Sequence, residues 1–201
     1  MRKVRRLPRS ALPADTVQLA RYLIGKTLVH ETSEGRTSGR IVETEAYIVG
    51  DAAGHAFRGQ TARNRSLFLR RGHAYVYFIY GVSYLLNVSS EQAGVGAGVL
   101  LRALEPMQGI ELMQQRRGTL RLQDLARGPG RLTIAMGVGI GDDGADLCSR
   151  GPLWLGTPAR ATGEVGVSVR IGITKEADRL LRFFERDNRY VSGTLRLNRI
   201  R

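Results

Sequence analysis

Alternation of apolar and polar positions predicts most of the strands in this chain. Lys26–His30 and Arg36–Tyr47 alternate on either side of a Glu-Gly turn, which is the pattern of a β-hairpin. Ala74–Tyr80 and Tyr84–Ser89 form a second such pair, with Gly81 as the break. Further short apolar runs predict strands at Gly98–Leu104, Leu153–Leu155 and Val165–Ile173.

Helical periodicity is confined to short segments. Apolar residues from Val17 to Ile24 recur at helical spacing, with Asp15 placed as an N-cap and Gly25 as the stop. Two further helices are predicted at Ile110–Arg117 and from the Arg127–Leu132 turn through Met136. The segment Ala177–Phe184 fits either a helix or a loop that shapes a ligand site.

Paired strands with scattered short helices indicate an α+β fold, because a βαβ succession is missing. We expect a mainly antiparallel β-sheet with flanking helices. We expect residues 1–10 to be a basic, flexible N-terminus and residues 11–201 to form a single domain. The loop at 49–66 is long for a simple connection, which favours a functional role.

Charge narrows the range of partners. Lys and Arg number 31 against 18 Asp and Glu, a formal net charge of +13, and nearly all the positive residues are Arg. Such an excess favours polyanions, since the planar guanidinium donates two hydrogen bonds to one phosphate. The alternative is that the Arg content reflects a GC-rich genome and an ordinary solvated surface.

Two carboxylates stand close together in an otherwise apolar strand. Glu43 and Glu45 are two residues apart, so their side chains share one face, which Tyr47 extends. The same alternation places Ile41 with them and Val42 on the opposite face. A buried carboxylate has a raised pKa and serves as an acid or base near neutral pH. The alternative is a solvated face whose glutamates pair with Arg.

The second hairpin carries three tyrosines. Tyr75 and Tyr77 share one side of the strand, and Tyr80 falls at the corner beside Gly81. In a cationic protein an exposed ring at a hairpin tip can wedge into a stack of bases. The alternative is that all three rings are core packing.

Metal and cofactor chemistry is not indicated. His30, His55 and His73 have no ligand spacing, and no Walker or dinucleotide motif accompanies the glycines. Cys148 is the single cysteine, which excludes an internal disulfide and favours a reducing intracellular setting. No apolar run approaches the length of a membrane span, so we expect no membrane, no metal and no cofactor.

Several motifs in order resemble the alkyladenine (3-methyladenine) DNA glycosylase family, the type shared by mammals and many bacteria. The resemblance covers about Leu12 to Ser192. Its motifs are RIVETEAY at 40–47, His55, QTARNR at 60–65, YVYFIYG at 75–81, Asn87 and VLLRALEP at 99–106.

The resemblance implies a hydrolytic site. Glu45 matches the general base that activates water, Glu43 a flanking structural position, and Arg102 a residue that holds the water and the nucleotide backbone. Ile171 matches a backbone contact to that water. Further positions match the base pocket: Tyr47 and Tyr77 as stacking walls, His55 as a stacking or hydrogen-bonding partner, and Asn87 as a residue that rejects guanine.

The resemblance also implies DNA contacts. Tyr80 matches the residue on a protruding DNA-binding hairpin that fills the gap left by a flipped nucleotide. Arg63 and Arg65 are assigned to the DNA backbone. After Gly81 the chain continues with the small residues Val82 and Ser83, smaller than family members can carry there.

The implied function is a monofunctional DNA-3-methyladenine glycosylase that flips alkylated purines out of duplex DNA and starts base excision repair. Its partner would be double-stranded DNA with alkylated or deaminated purines, and we expect a monomer. We expect it in the cytoplasm of a bacterium with the nucleoid, or in the nucleus if the source is a eukaryote. The alternative is a noncatalytic damage-binding or architectural DNA protein that uses the same hairpin wedge.

Overall fold

The computed structural model describes residues 3–79 and 81–198, which form an α+β fold built on one antiparallel sheet. The α-helices are α1 (Thr16–Leu23), α2 (Ile110–Arg117), α3 (Pro129–Met136) and α4 (Leu195–Asn198). The strands are β1 (Thr27–Thr32), β2 (Gly35–Tyr47), β3 (Ala74–Ile79), β4 (Ser83–Ser89), β5 (Gly98–Gln108), β6 (Leu153–Gly156), β7 (Val165–Ser168) and β8 (Arg182–Glu185). The predicted fold class is therefore confirmed.

Strand β2 is the centre of the sheet. The strand order is β3-β4-β5-β2-β1-β6, and β8 also pairs with β2 and carries β7 at its other edge. The first half of β2 pairs with β1, and its second half pairs with β8 through Glu43–Glu45. The second half of β2 therefore has neighbours on both edges, and side chains there are enclosed.

The pairing of β2 with β5 has three register shifts, and the one at Val42 changes the predicted alternation. Ile41 lies opposite Leu104 and Glu43 opposite Ala103, so Val42 is an extra residue on β2. Val42 packs in a small apolar cluster and does not lie on the face of β2 opposite the glutamates, where it was predicted. The prediction that Ile41 shares the face of the glutamates is wrong, because Ile41 joins the main core.

Helix α1 begins and ends where its sequence predicts. The Asp15 carboxylate accepts a hydrogen bond from the Gln18 N–H at 2.8 Å, which satisfies one free donor of the first turn. Leu19, Ala20 and Leu23 are fully buried against the sheet. The Thr44 hydroxyl donates to the Ala20 carbonyl at 2.9 Å, so this helix packs on the opposite face of β2 from the two glutamates.

The β3–β4 hairpin is present, with Ala74 opposite Val88 and Ile79 opposite Ser83. Gly81 has φ +70°, which a residue with a side chain adopts rarely. Val82 is 75% exposed at the tip. Tyr80, the predicted wedge, lies outside the described residues.

Three element predictions need correction. The segment Ala177–Phe184 is not helical, because Arg182–Glu185 forms strand β8 between β2 and β7. Strand β7 ends at Ser168 instead of Ile173, and residues 170 and 171 form hydrogen bonds to β2. Strand β5 continues through Pro106 to Gln108, because β2 is long enough to pair with the extension.

The segment before α1 lies against β6. The Leu7 N–H donates to the Leu155 carbonyl at 2.9 Å, and the Leu7 side chain is buried. The Arg6 guanidinium lies 4.5 Å from the centre of the Trp154 ring. This basic segment, predicted to be flexible, thus packs along the edge of the sheet from Val4 onward.

Candidate active site

A cavity of about 450 Å³ opens beside the carboxyl end of β2. Six residues that the sequence singles out line it: Tyr47, His55, Tyr77, Asn87, Arg102 and Ile171. Strands β2, β3, β4 and β5 supply four of them, and the loop after β2 and the segment after β7 supply the others. The volume is within the usual range of a small-ligand site, about 300–1,000 Å³.

Glu45 lies directly behind the wall of this cavity and is fully buried. One carboxylate oxygen accepts the Ile171 N–H at 2.7 Å and lies 3.2 Å from Nη1 of Arg102. The other accepts the Tyr47 hydroxyl at 3.0 Å. All three partners line the cavity, so the carboxylate is enclosed by the residues that a bound ligand would touch.

Burial raises the pKa of Glu45 above its ordinary value, although Arg102 and the Ile171 N–H act in the opposite direction. Desolvation disfavours the charged carboxylate, and these two partners recover only part of that cost. A carboxyl group with a raised pKa accepts a proton near neutral pH more readily than an ordinary one.

Glu43 is equally buried but has the opposite environment. It accepts hydrogen bonds from Nε of Arg102 at 3.0 Å, Nε of Arg182 at 2.6 Å and the Ser192 N–H at 2.7 Å. Burial alone would raise the pKa of Glu43, but the two guanidinium groups outweigh it and lower that pKa. These partners favour the charged form of Glu43, which holds Arg102. The alternative of a solvated glutamate face is wrong because Glu43 is buried, although its pairing with Arg is present.

Arg102 reaches both carboxylates because of a bulge in β5. Glu43 pairs with Ala103 and Thr44 with Leu101, so Arg102 is an extra residue between them. A bulge redirects one side chain out of the regular alternation. Here it directs the guanidinium between Glu43 and Glu45.

Three aromatic side chains form one wall of the cavity. The Tyr75 and Tyr77 rings are stacked at 5.2 Å, and the His55 ring meets Tyr77 edge-on at 4.4 Å. Nδ1 of His55 lies 2.9 Å from the Tyr75 hydroxyl. The sequence interpretation did not assign Tyr75 to the site, although its two-residue spacing from Tyr77 was a signal.

The surroundings of His55 favour the neutral form of its side chain. Burial lowers the pKa of His55, and the positive charge of Arg63 lowers it further. A neutral imidazole can stack beside a cationic ligand without charge repulsion.

Asn64 organises the loop that carries His55, a role that the sequence did not reveal. Its amide nitrogen donates to the carbonyls of His55 at 2.8 Å and Gly59 at 3.0 Å. Its amide oxygen accepts the Thr61 N–H at 2.6 Å. Asn64 is 4% exposed, and these bonds replace the regular backbone pairing that the loop lacks.

Asn87 lines the cavity from β4 and is 7% exposed. Its side-chain nitrogen lies 3.3 Å from the Tyr75 carbonyl, across the hairpin. Tyr75 is also its direct partner in the β3–β4 register. The hairpin thus brings the amide and the aromatic wall to the same cavity.

Arg63 and Arg65 lie outside this cavity and line an open groove on the other side of β3. Arg63 donates to the Phe78 carbonyl at 3.3 Å and lies 6.0 Å from the centre of the Tyr77 ring. The two arginines therefore do not line the cavity, but their groove shares Tyr77 with it and lies beside the same hairpin.

Within residues 3–79 and 81–198, no group of three or more His, Cys, Asp or Glu side chains could hold a metal ion. Over the same residues, no helix has the length and apolar character needed to cross a bilayer.

Comparison with known proteins identifies a family. The sequence model described as "Methylpurine-DNA glycosylase (MPG)" matches residues 10–189. A Mesorhizobium japonicum protein is 64% identical over 93% of this chain and 90% of its own length. A Paraburkholderia phytofirmans protein is 56% identical over 95% and 90%. A Methanoculleus marisnigri protein is 47% identical over 92% of this chain and 98% of its own length. Each of the three is named "Putative 3-methyladenine DNA glycosylase". The chain therefore belongs to the methylpurine-DNA glycosylase family.

Proposed function

We propose that this DNA glycosylase removes 3-methyladenine and related alkylated purines from duplex DNA with a Glu45-activated water and thereby starts base excision repair. The observation that carries the proposal is the buried Glu45 carboxylate, enclosed by Tyr47, Arg102 and Ile171 at the wall of an aromatic cavity.

The cavity suits a flipped, positively charged base. A purine alkylated at a ring nitrogen carries positive charge, and electron-rich rings attract such a cation. Tyr47 and Tyr77 would hold the base between them, with His55 at its edge and Asn87 discriminating against guanine. Flipping costs a few kcal/mol, and least at damaged pairs, which aids selection.

The reaction follows from the position of Glu45. The water oxygen forms a bond to C1′ of the sugar while the bond from C1′ to the base nitrogen breaks. The water proton passes to Glu45, and the departing base takes the electron pair, which cancels its positive charge. The ionised carboxylate also stabilises the oxocarbenium character of the sugar.

Arg102 would hold the water and the nucleotide backbone, and the Ile171 backbone would help to orient the water. The three lysines of the chain are Lys3, Lys26 and Lys175, and the cavity lining includes none of them. A Schiff base with the sugar therefore has no amine donor at this site, which favours a monofunctional enzyme without strand cleavage.

We assign Arg63 and Arg65 to the DNA backbone and Tyr80 to the gap left by the flipped nucleotide. The two arginines lie beside the hairpin that would enter the minor groove. The net charge of +13 supports binding to undamaged DNA during search. We expect a monomer in a bacterial cytoplasm.

Substitution of Glu45 by Gln tests the proposal. Gln keeps the size of the side chain but cannot accept the proton, so we expect single-turnover release of 3-methyladenine to fall by about 10²- to 10⁴-fold. The assay uses methylated duplex DNA, with binding to the same duplex as the internal control. Binding should remain unchanged.

Other outcomes would point elsewhere. If the wild type binds damaged duplex but releases no base, a noncatalytic damage-binding protein replaces the enzyme. If Glu45→Gln releases base at the wild-type rate, the chain remains a glycosylase but Glu45 is not its base, and Glu43→Gln is the next variant.

A further inference from the structure

Arg170 and Asp51 form a buried ion pair beside the cavity, and the known motifs assign no role to either. Both side chains are fully buried. Nη1 of Arg170 donates to one carboxylate oxygen of Asp51, and Nη2 donates to the other at 3.1 Å. Neither side chain lines the cavity, so the pair stands behind its walls.

The pair supports Tyr47 from behind. The Arg170 guanidinium lies 4.6 Å from the centre of the Tyr47 ring. Its Nη1 also donates to the Ala46 carbonyl at 3.1 Å, immediately before Tyr47 in β2. The ring is thus held on its buried side while its hydroxyl donates to Glu45.

The same arginine fixes the position of a second donor to Glu45. Ile171 follows Arg170 directly, and its N–H donates to the Glu45 carboxylate at 2.7 Å. Strand β7 ends at Ser168, so this segment lies beyond the hydrogen bonds of the strand. The Arg170 bond to the Ala46 carbonyl therefore attaches this segment to β2 beside the Ile171 N–H bond, and the ion pair with Asp51 holds the guanidinium that makes it.

Asp51 extends the attachment to the loop that carries His55. Its carboxylate accepts the Ala53 N–H at 2.9 Å, and its carbonyl accepts the Gly54 N–H at 2.9 Å. Ala53, Gly54 and His55 all line the cavity. One ion pair therefore connects three separate walls of the site.

We propose that Arg170 and Asp51 are positioning residues that hold the Tyr47 ring and the Ile171 N–H in register with Glu45. The inference rests on the proposed function, because its purpose is to orient the groups around the base and the water. A planar guanidinium can stack on a ring and bind a carboxylate through two nitrogens at once, whereas a lysine ammonium can do neither.

A purely structural pair would stabilise the fold without affecting the chemistry. The chain offers a matched control in Arg40 and Glu185, whose side chains are 1% and 4% exposed and joined by two hydrogen bonds. Neither residue lines the cavity. Arg40→Lys therefore makes the same chemical change at a buried ion pair away from the site.

The experiment compares Arg170→Lys, Asp51→Asn and Arg40→Lys with wild type, each below its own unfolding temperature. We expect both site variants to release 3-methyladenine about 10- to 100-fold more slowly in single turnovers, since small misplacements of reacting groups cost that much. Their affinity for undamaged duplex should stay unchanged. Arg40→Lys should lose stability but keep its release rate.

The pH profile of base release is a measurement that a change in protein stability alone would not alter. Looser hydrogen bonds from Tyr47 and Ile171 would raise the pKa of Glu45 further, while Arg102 and Glu43 remain in place as the charged groups facing it. The acid limb of the release rate should therefore move to higher pH in Arg170→Lys and stay in place in Arg40→Lys. Asp51→Asn, which leaves the Arg170 side chain intact, provides an independent second variant if Arg170→Lys does not fold.

Release rates and pH profiles equal to wild type in both site variants would overturn the inference, as would equal losses in Arg40→Lys. If the wild type itself releases no base, the proposed function fails separately. Calorimetric binding of free 3-methyladenine then tests the role of Arg170 and Asp51. Weaker binding in the two site variants but not in Arg40→Lys supports the inference, and binding equal to wild type in the site variants overturns it.

Discussion

Two glutamates on one strand show how surroundings divide the roles of identical side chains. Glu43 has two guanidinium groups and a backbone N–H, and its pKa falls below the ordinary value. Glu45 shares one of those guanidinium groups and has Tyr47 as a neutral donor, and burial raises its pKa. The two pKa values are thus moved apart, which favours the charged form of Glu43 and the protonated form of Glu45.

The raised pKa of Glu45 predicts the pH dependence of base release. The base must be ionised, so the rate should rise with pH through the raised pKa and then level off. Tyr47→Phe keeps the ring but removes the donor to the carboxylate, which should move this limb to higher pH. Single-turnover release between pH 4 and 9 measures both profiles. If the acid limb of the pH–rate profile is the same in Tyr47→Phe as in wild type, the Tyr47 hydroxyl does not influence Glu45.

At the scale of elements, helix α3 connects the core to the cavity. Its first residues, Pro129 and Gly130, line the cavity. Its last carbonyl, on Met136, lies 2.9 Å from Nδ1 of His30 and accepts the Thr37 hydroxyl at 3.3 Å. Nε2 of His30 is 3.4 Å from Asp142. Strand β1 therefore fixes the end of α3 that lies farthest from the cavity.

This contact predicts a pH dependence of stability. Burial alone would lower the pKa of His30, but Asp142 and the Met136 carbonyl outweigh burial and the nearby Arg116, so that pKa is raised. The stabilisation that protonated His30 contributes is full at pH values below its unfolded-state pKa of about 6.5. It is lost as the pH rises through the pKa of His30 in the folded protein. We expect His30→Gln to flatten this decline.

Denaturant unfolding of wild type and His30→Gln at pH 5.5 and pH 8.5 measures the effect. The wild type should lose more unfolding free energy than the variant over this range, about 1.4 kcal/mol for each unit of pKa shift. Parallel declines in the two proteins would assign the pH dependence to other groups. Asp142 has a lowered pKa, so its own contribution is lost only in acid, outside this range.

At the scale of the whole molecule, the net charge of +13 predicts DNA binding that weakens steeply with salt. An arginine that neutralises one phosphate adds about 0.9 to the slope of log affinity against log salt. We expect Arg63→Ala and Arg65→Ala each to reduce the slope by about that amount. Affinity for undamaged duplex between about 50 and 200 mM salt measures it.

Arg36 provides the control for this measurement. It lies near the start of β2, at the opposite end of the strand from Tyr47, and is also partly exposed. Arg36→Ala removes the same charge but should leave the slope unchanged. Equal slopes for all three variants would indicate diffuse attraction without a defined path for the DNA backbone.

The amino-acid sequence was sufficient to predict the elements whose signals are local: the capped helix α1, the two hairpins and the central strand β2. It also identified the family, which the comparisons confirm. These features depend on alternation, turn residues and motif order, all of which are readable within a few residues. The α+β class followed from them.

Features that depend on partners distant in the sequence became apparent only in the folded chain. Strand β8 exists because Arg182–Glu185 adds to β2 and β7, and its own residues do not indicate a strand. The bulges at Val42 and Arg102 arise from the register of two strands about 60 residues apart. Arg170 pairs with Asp51, and Asn64 bonds to the His55 loop, because burying an unpaired polar group is costly. The fold determines which partners are within reach.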